Sequence, residues 1–371
     1  VSVATGQYES AILITENDDE AINVSCIPII LSVTVVLILL ILLSIFRDEG
    51  AFSTLIVWPK HIQLLCLSIF TNAIYQSIYY FQLRKGLYKS ISISKLIYSL
   101  SNVASSILLG VLSSLSYKLI ISFLIGRVLS ALFLLAILLR QHMHLVMCLE
   151  IKEIFSSAKK YSDFPKYSMP QALTDNFRIN IINALISSTY GLDTLGLYSL
   201  SQRIIYMPLS LFSSSISQVF YQKASTSSRL GESENLFKLV KKVIFFSSLL
   251  IIFPMFVLAG FLPLGFQMVF GQQWLDAGYI ALIILPWLSV NFLSSCVSTI
   301  PIVCSQQKKF FLVSLIYNLS IPFVLLCFSK LMDYGFKTSL IAVSSFGSFY
   351  LLILVAWFLR LSSNKIIERN A

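Results

Sequence analysis

Three arginines stand deep inside apolar stretches of this 371-residue sequence. Arg127, Arg178 and Arg203 each lie about nine residues within a run long enough to cross a bilayer. That places a guanidinium near a membrane midplane, where an ionisable group costs several kcal/mol and marks a functional site by default. Arg203 also belongs to a stripe of Ser199, Arg203, Tyr206, Ser210, Ser214, Ser217 and Tyr221. Their spacings of three and four put them all on one face of a helix, a wet, cationic face turned toward something other than lipid. The chemistry on offer is recognition of anionic oxygens, which arginine receives bidentately. Around Arg178 the polarity falls on two faces. Gln171, Asp175 and Arg178 form one, and Asn176, Asn180, Asn183 and Ser187 another, about 140° round the helix. Asp175 and Arg178 are three residues apart, a spacing at which they can pair and neutralise each other.

The elements that must position these residues follow from composition. Hydrophobic residues make up 57% of the chain and charged residues 12%, against about 25% charged in soluble domains. This is a polytopic membrane protein. Apolar runs of about 20 residues recur at 27–46, 61–82, 91–112, 118–139, 170–189, 195–221, 236–260, 276–302, 309–329 and 337–360. Ten transmembrane helices are expected, and the runs lack the alternation of a membrane barrel. The midspan prolines are Pro28, Pro208, Pro254, Pro286 and Pro322, and Pro165 and Pro170 bracket the entry to the fifth run. Each is a helix-bending site.

Orientation comes from the loops. The segments 84–95, 140–166, 222–242, 305–309 and 360–371 hold 19 of the 27 Lys and Arg residues, and the loops between them only Arg47, Lys60, Lys118, Lys330 and Lys337. By the positive-inside rule the crowded loops face the cytoplasm. The net charge of +10 then reflects topology and contact with anionic lipid headgroups, not nucleic-acid binding.

Within 140–166, Met147, Ile151, Ile154, Phe155 and Ala158 keep helical spacing, with Glu150, Glu153 and Lys160 off that face. A helix lying in the membrane interface is expected there. It divides an N-terminal bundle, 1–139, from a C-terminal six-helix bundle, 170–371, with 140–169 as the cytoplasmic linker. A short internal likeness supports two halves: LIVWP at 55–59 resembles LIILP at 282–286, and KLIYSLS at 95–101 resembles SLIYNLS at 314–320. The six cysteines, at 26, 66, 148, 296, 304 and 327, lack metal spacing and read as small hydrophobes. His142 and His144 have no further ligands beside them and read as interfacial polarity. Neither a metal nor a cofactor is expected.

Several segments together resemble a family. YSDFPKYSMP (161–170), YG (190–191), LGLYSLSQRIIYMPLSLFSSSISQVFYQKAS (195–225), FGQQWLDAG (270–278) and the acidic opening YESAILITENDDEAINV (8–24) are similar to the Wzx-type oligosaccharide-unit flippases. These belong to the multidrug/oligosaccharidyl-lipid/polysaccharide (MOP) exporter superfamily. The resemblance implies an all-α fold of two six-helix bundles around a central cavity, so that the ten helices of this chain, which opens on Val1, would lack the first two of twelve. It implies a multi-pass protein of the bacterial inner membrane and no enzymatic activity. Its role would be to move undecaprenyl-diphosphate-linked oligosaccharide repeat units, as used for O-antigen and lipopolysaccharide, from the cytoplasmic to the outer leaflet. Its partners would be that lipid-linked oligosaccharide, membrane lipids and the glycan polymerase machinery.

Arg203 matches an arginine common in the family's eighth helix; Asp175 and Arg178 are not part of its familiar pattern. The substrate-binding candidates are therefore Arg127, Arg178, Arg203, Ser199, Tyr206, Ser210 and Ser214, with Asp175 as the group that would bind a coupling proton or sodium ion. A multidrug or lipid-precursor exporter of the same superfamily is the alternative, although an organic cation would favour intramembrane carboxylates over arginines. A membrane-embedded glycan polymerase or glycosyltransferase would need a sizeable outer loop with catalytic groups, and the outer loops here are short. A non-transporting scaffold would have no need of three buried arginines.

Overall fold

The computed structural model describes residues 2–45, 59–112, 118–147, 150–231 and 233–370. Arg47, Cys148 and the 55–58 part of the LIVWP likeness lie outside the described residues, as do the side chains of Lys60, His142, His144 and Met147. Among the described residues the regular structure is entirely helical, with fourteen α-helices and no strand. The chain divides into two compact units, Val1–Met169 and Pro170–Ala371.

The N-terminal unit holds α1 (Ser2–Thr5), α2 (Tyr8–Ala11), α3 (Asp18–Ile45), α4 (Pro59–Arg84), α5 (Tyr88–Leu112), α6 (Lys118–Met147) and α7 (Ile151–Lys160). The C-terminal unit holds α8 (Met169–Tyr190), α9 (Leu192–Arg229), α10 (Ser233–Phe270), α11 (Leu275–Val297), α12 (Ile300–Val303), α13 (Gln307–Leu326) and α14 (Phe336–Asn370). Ten of these have 20 residues or more and coincide with the ten apolar runs. The count rises to fourteen because of α7 and three four-residue helices, α1, α2 and α12. One turn is too short for a 3.6-residue period to show in a sequence.

Seven of the described helices are long and apolar enough to cross a membrane, namely α3 to α6, α11, α13 and α14. Helices α8 and α9 fall short on hydropathy because they carry the polar stripes. Helices α9 and α10 run for 38 residues each, about 57 Å at 1.5 Å per residue, so both extend beyond the bilayer and its headgroups. The helix stops after Arg229 at Gly231, whose φ of 73° is the left-handed conformation that closes helix C-termini.

In the N-terminal unit α5 packs along α6, α6 along α4, and α4 along α3. The end of α4 organises the acidic opening. Arg84, almost wholly buried, donates to the carbonyls of Ile12, Thr15 and Glu16 at 3.2, 2.7 and 3.3 Å and to Asp18 at 3.3 Å. One planar guanidinium thus satisfies carbonyls that the turn before α3 would leave bare. Helix α7 lies against α3: Asn23 donates to Glu153 at 2.7 Å, Lys160 pairs with Glu20 and Glu16 at 2.7 and 3.0 Å, and Tyr8 donates to the Ala158 carbonyl at 2.8 Å. Its apolar residues Ile151 and Phe155 stay 74% and 73% exposed.

In the C-terminal unit α11 is the buried axis. It is apolar all round and packs against α9, α10 and α14. Helix α8 is joined to this unit by side chains at two levels. At its end Tyr190 donates to the Tyr334 carbonyl at 2.9 Å, lies 2.8 Å from the Ser339 hydroxyl and stacks edge-on against Phe336. The other level is the mid-helix network of Asp175 and Arg178.

Candidate functional site

The structure gives the three arginines three different environments. Arg127, on α6 of the N-terminal unit, is enclosed by rings from three helices. Its guanidinium carbon lies 4.5 Å from the centre of Tyr75 on α4, 4.4 Å from Tyr98 on α5 and 5.5 Å from Phe123 on α6. The negative ring faces stabilise the cation, by about 2 kcal/mol where water is excluded. Its Nε is buried and, among the described residues, has no hydrogen-bond partner. The cage closes because Gly126 lets α6 approach α5: a Cβ there would meet the Tyr98 carbonyl oxygen at 2.9 Å.

Arg178 is held by hydrogen bonds. Its Nε donates to Asn318 Oδ1 at 3.0 Å, while Asn318 Nδ2 donates to Asp175 Oδ1 at 2.7 Å and to Thr174 Oγ1 at 3.1 Å. A guanidinium only donates and a carboxylate only accepts, so the amide can stand one way round. The direct Asp175–Arg178 pair that their spacing allows does not form; Asn318 on α13 mediates between them. The Arg178 guanidinium also lies 5.2 Å from the Tyr317 ring, whose hydroxyl accepts a 2.8 Å bond from the Trp287 indole. Tyr317 packs on Tyr350 at 5.2 Å, and Tyr350 donates to the Val313 carbonyl at 2.8 Å. Trp287 reaches Tyr317 because Gly347 on α14 leaves room, a Cβ there lying only 2.6 Å from the indole nitrogen.

Arg203 is open. It is exposed on α9, and among the described residues it has no hydrogen bond or ion pair. Along the same face Ser199, Tyr206 and Ser214 are exposed, Ser210 and Ser217 are half-buried and Tyr221 is buried. The Ser210 and Ser214 hydroxyls donate to the carbonyls of Met207 and Leu211 at 2.8 and 3.0 Å. Their protons are thereby used and their lone pairs stay available, which makes the stripe a row of acceptors. Five residues on, Pro208 cannot donate to the Ile204 carbonyl, adding another acceptor beside Arg203.

The two polar faces of α8 are likewise divided. The Asp175 and Arg178 face is the packed one, while Asn176 and Asn180 are exposed and donate to the Ala172 and Asn176 carbonyls at 2.7 and 3.1 Å. The structure therefore joins Asp175 and Arg178 in one network, puts Arg203, Ser199, Tyr206, Ser210 and Ser214 on one open face, and leaves Arg127 in the other unit. Sequence reasoning missed Asn318, Tyr317, Trp287 and Thr174. The available signal was Asn318 itself, an amide in the middle of an apolar span, noticed only as part of the SLIYNLS likeness.

Residues 9–279 match the sequence profile of the family described as polysaccharide biosynthesis protein. Among solved structures, a MATE protein in its bent conformation matches with a TM-score of 0.79 and 13% identity, over 100% of this chain and 86% of that one. An outward-facing multidrug resistance MATE family transporter of the MOP superfamily matches at 0.77 and 14%, over 98% and 85%. A MOP superfamily transporter from Pyrococcus furiosus, described as having a binding pocket of reverse polarity that suggests a different function, matches at 0.77 and 14%, over 98% and 85%. No curated protein matches the chain. The match over most of its length places the chain in the polysaccharide biosynthesis protein family, as a multi-pass membrane protein with the fold of the MATE transporters of the MOP superfamily.

Proposed function

We propose that the protein is a flippase that carries undecaprenyl-diphosphate-linked oligosaccharide units from the cytoplasmic to the outer leaflet of the bacterial inner membrane by alternating access. The observation that carries this reading is the open face of α9, one unpaired arginine in a row of hydroxyl acceptors. A diphosphate cannot cross hydrocarbon unaided. A guanidinium can hold two of its oxygens at once, and the serine lone pairs accept from sugar hydroxyls as the glycan passes. The lipid tail stays in the bilayer, so the protein shields the headgroup alone and catalyses no covalent step. The family description and the transporter fold support an exporter working in polysaccharide assembly. The reverse polarity of the binding pocket in the Pyrococcus furiosus transporter supports the view that this fold accommodates pockets of different polarity.

Driving force follows from charge. An inside-negative potential favours outward movement of an anion by roughly 2.3 kcal/mol per charge at 100 mV. Arg203 moving with the cargo would offset part of that gain, and an ion taken up by the Asp175 carboxylate would supply coupling. Arg178, with its charge spent on Asn318 and Tyr317, positions that carboxylate in this scheme, and Arg127 holds the N-terminal unit together. Once outside, the cargo passes to the glycan polymerase machinery.

The test is to identify what accumulates in cells that lack the protein. A diphosphate-linked sugar confined to the inner leaflet, cleared when the gene is restored, is the expected result. Unchanged lipid-linked sugars together with sensitivity to organic cations would instead assign the protein to multidrug export.

A further inference from the structure

Away from the α9 stripe, the Lys/Arg-rich end of the C-terminal unit holds a cleft of about 530 Å³ between α9 and α10. Lys223 of α9 and Lys238 and Lys242 of α10 line it, together with Thr226 and Ser227. Lys238 and Lys242 are one turn apart and share a face of α10. The counter-charge is small. Glu234 pairs with Lys238 at 2.6 Å, but both are largely exposed, so the pair contributes little. Among the described residues Lys223 and Lys242 have no ion-pair partner. Three ammonium groups converging on one cleft repel each other unless an anion sits between them.

The walls above the lysines say what kind of anion. On α10 the apolar run begins immediately after Lys242, and Phe245, Phe246 and Leu249, one and two turns deeper on the same side, are all more than half exposed. On α9, Val219 and Phe212 lie one and three turns deeper than Lys223 on its face, and both are exposed. The basic cleft is therefore followed on both helices by exposed apolar side chains, the pattern of an amphiphile with an anionic head. A soluble phosphate would use the lysines and none of these apolar side chains. Basic pockets between membrane helices at the interface are general sites for acidic lipid headgroups.

We propose that this cleft holds the phosphate headgroup of an anionic phospholipid, with its acyl chains along Phe245, Phe246 and Leu249. The site lies on the opposite helix face and at a different level from Arg203, and does not depend on the identity of the transported cargo.

The test is native mass spectrometry of the purified full chain with added phosphatidylglycerol or phosphatidylcholine. The wild type should retain phosphatidylglycerol preferentially. Replacing Lys223, Lys238 and Lys242 together by Gln should reduce that preference by about tenfold or more, and replacing them by Arg should keep it. The three side chains are exposed, and the thermal unfolding midpoint of each variant checks that the fold is intact. A control carrying Lys308→Gln and Lys309→Gln should bind as the wild type does; an equal loss there would reduce the site to general surface charge and overturn the proposal. Excess inorganic phosphate should leave the lipid bound, and its release would assign the cleft to soluble phosphate instead. An unchanged preference in the triple Gln variant would also overturn it.

Discussion

Arg127 and Arg178 meet the same problem, a guanidinium inside an apolar span, in opposite ways. The N-terminal unit surrounds Arg127 with the faces of Tyr75, Tyr98 and Phe123 and, among the described residues, supplies no carboxylate. The C-terminal unit ties Arg178 through Asn318 to Asp175, so charge is balanced by an amide relay between two helices. The cage works through ring faces and needs no carboxylate, which suits a rigid fixture. The relay joins α8 to α13 through a carboxylate, the group that would take up the coupling ion in the proposed function. Arg203 has neither device, and in the proposed function its openness is what marks it for binding.

The largest effect is expected from cutting the relay. Asn318→Leu leaves a carboxylate and a guanidinium without their shared partner and should cost about 3–5 kcal/mol. Thermal unfolding of the purified protein and its abundance in the membrane should both fall sharply; an unchanged midpoint would show that the relay holds nothing together. Gly347→Ala should cost about 1–3 kcal/mol, because the new methyl group drives Trp287 away from Tyr317. Adding Trp287→Phe should recover part of that loss.

These residues also show what a sequence displays. The long helices were legible because a bilayer imposes about 20 apolar residues on each, and the helix α7 because its apolar spacing persists over ten residues. Asp175 and Arg178 were visible as charges out of place. Their partner was not, since Asn318 comes from a helix about 140 residues later and packing between helices leaves no periodic mark. The Arg127 cage is hidden for the same reason, its rings belonging to three separate helices. On α9 the whole stripe was legible because it lies along one helix, although the burial of Tyr221 at its far end was not.

The cage gives a smaller and more selective response. Tyr98→Phe keeps the ring and should leave stability nearly unchanged, whereas Tyr98→Leu should cost about 0.5–2 kcal/mol. Equal behaviour of the two variants would mean that the ring face is not what holds Arg127.

The smallest effect is a pH slope confined to the N-terminal unit. Glu9 is buried on α2 with one carboxyl oxygen unpartnered among the described residues, and burial pushes its carboxyl above the ordinary value of 4.5. A raised folded-state pKa contributes stability that is fully present below the unfolded value and is lost as pH rises through the folded one. Wild-type thermal stability should therefore decline above pH 4.5, and Glu9→Gln should flatten that decline. Parallel profiles for the two proteins would remove Glu9 as its source.

The most direct test of the account is glycan export per inserted molecule for Arg203→Ala and Arg203→Lys. An open phosphate-binding guanidinium predicts normal membrane abundance with export abolished in the alanine variant and intermediate in lysine, which keeps the charge and loses the bidentate geometry. Reduced abundance with unchanged export by each surviving molecule would contradict it and make Arg203 a structural residue like Arg127.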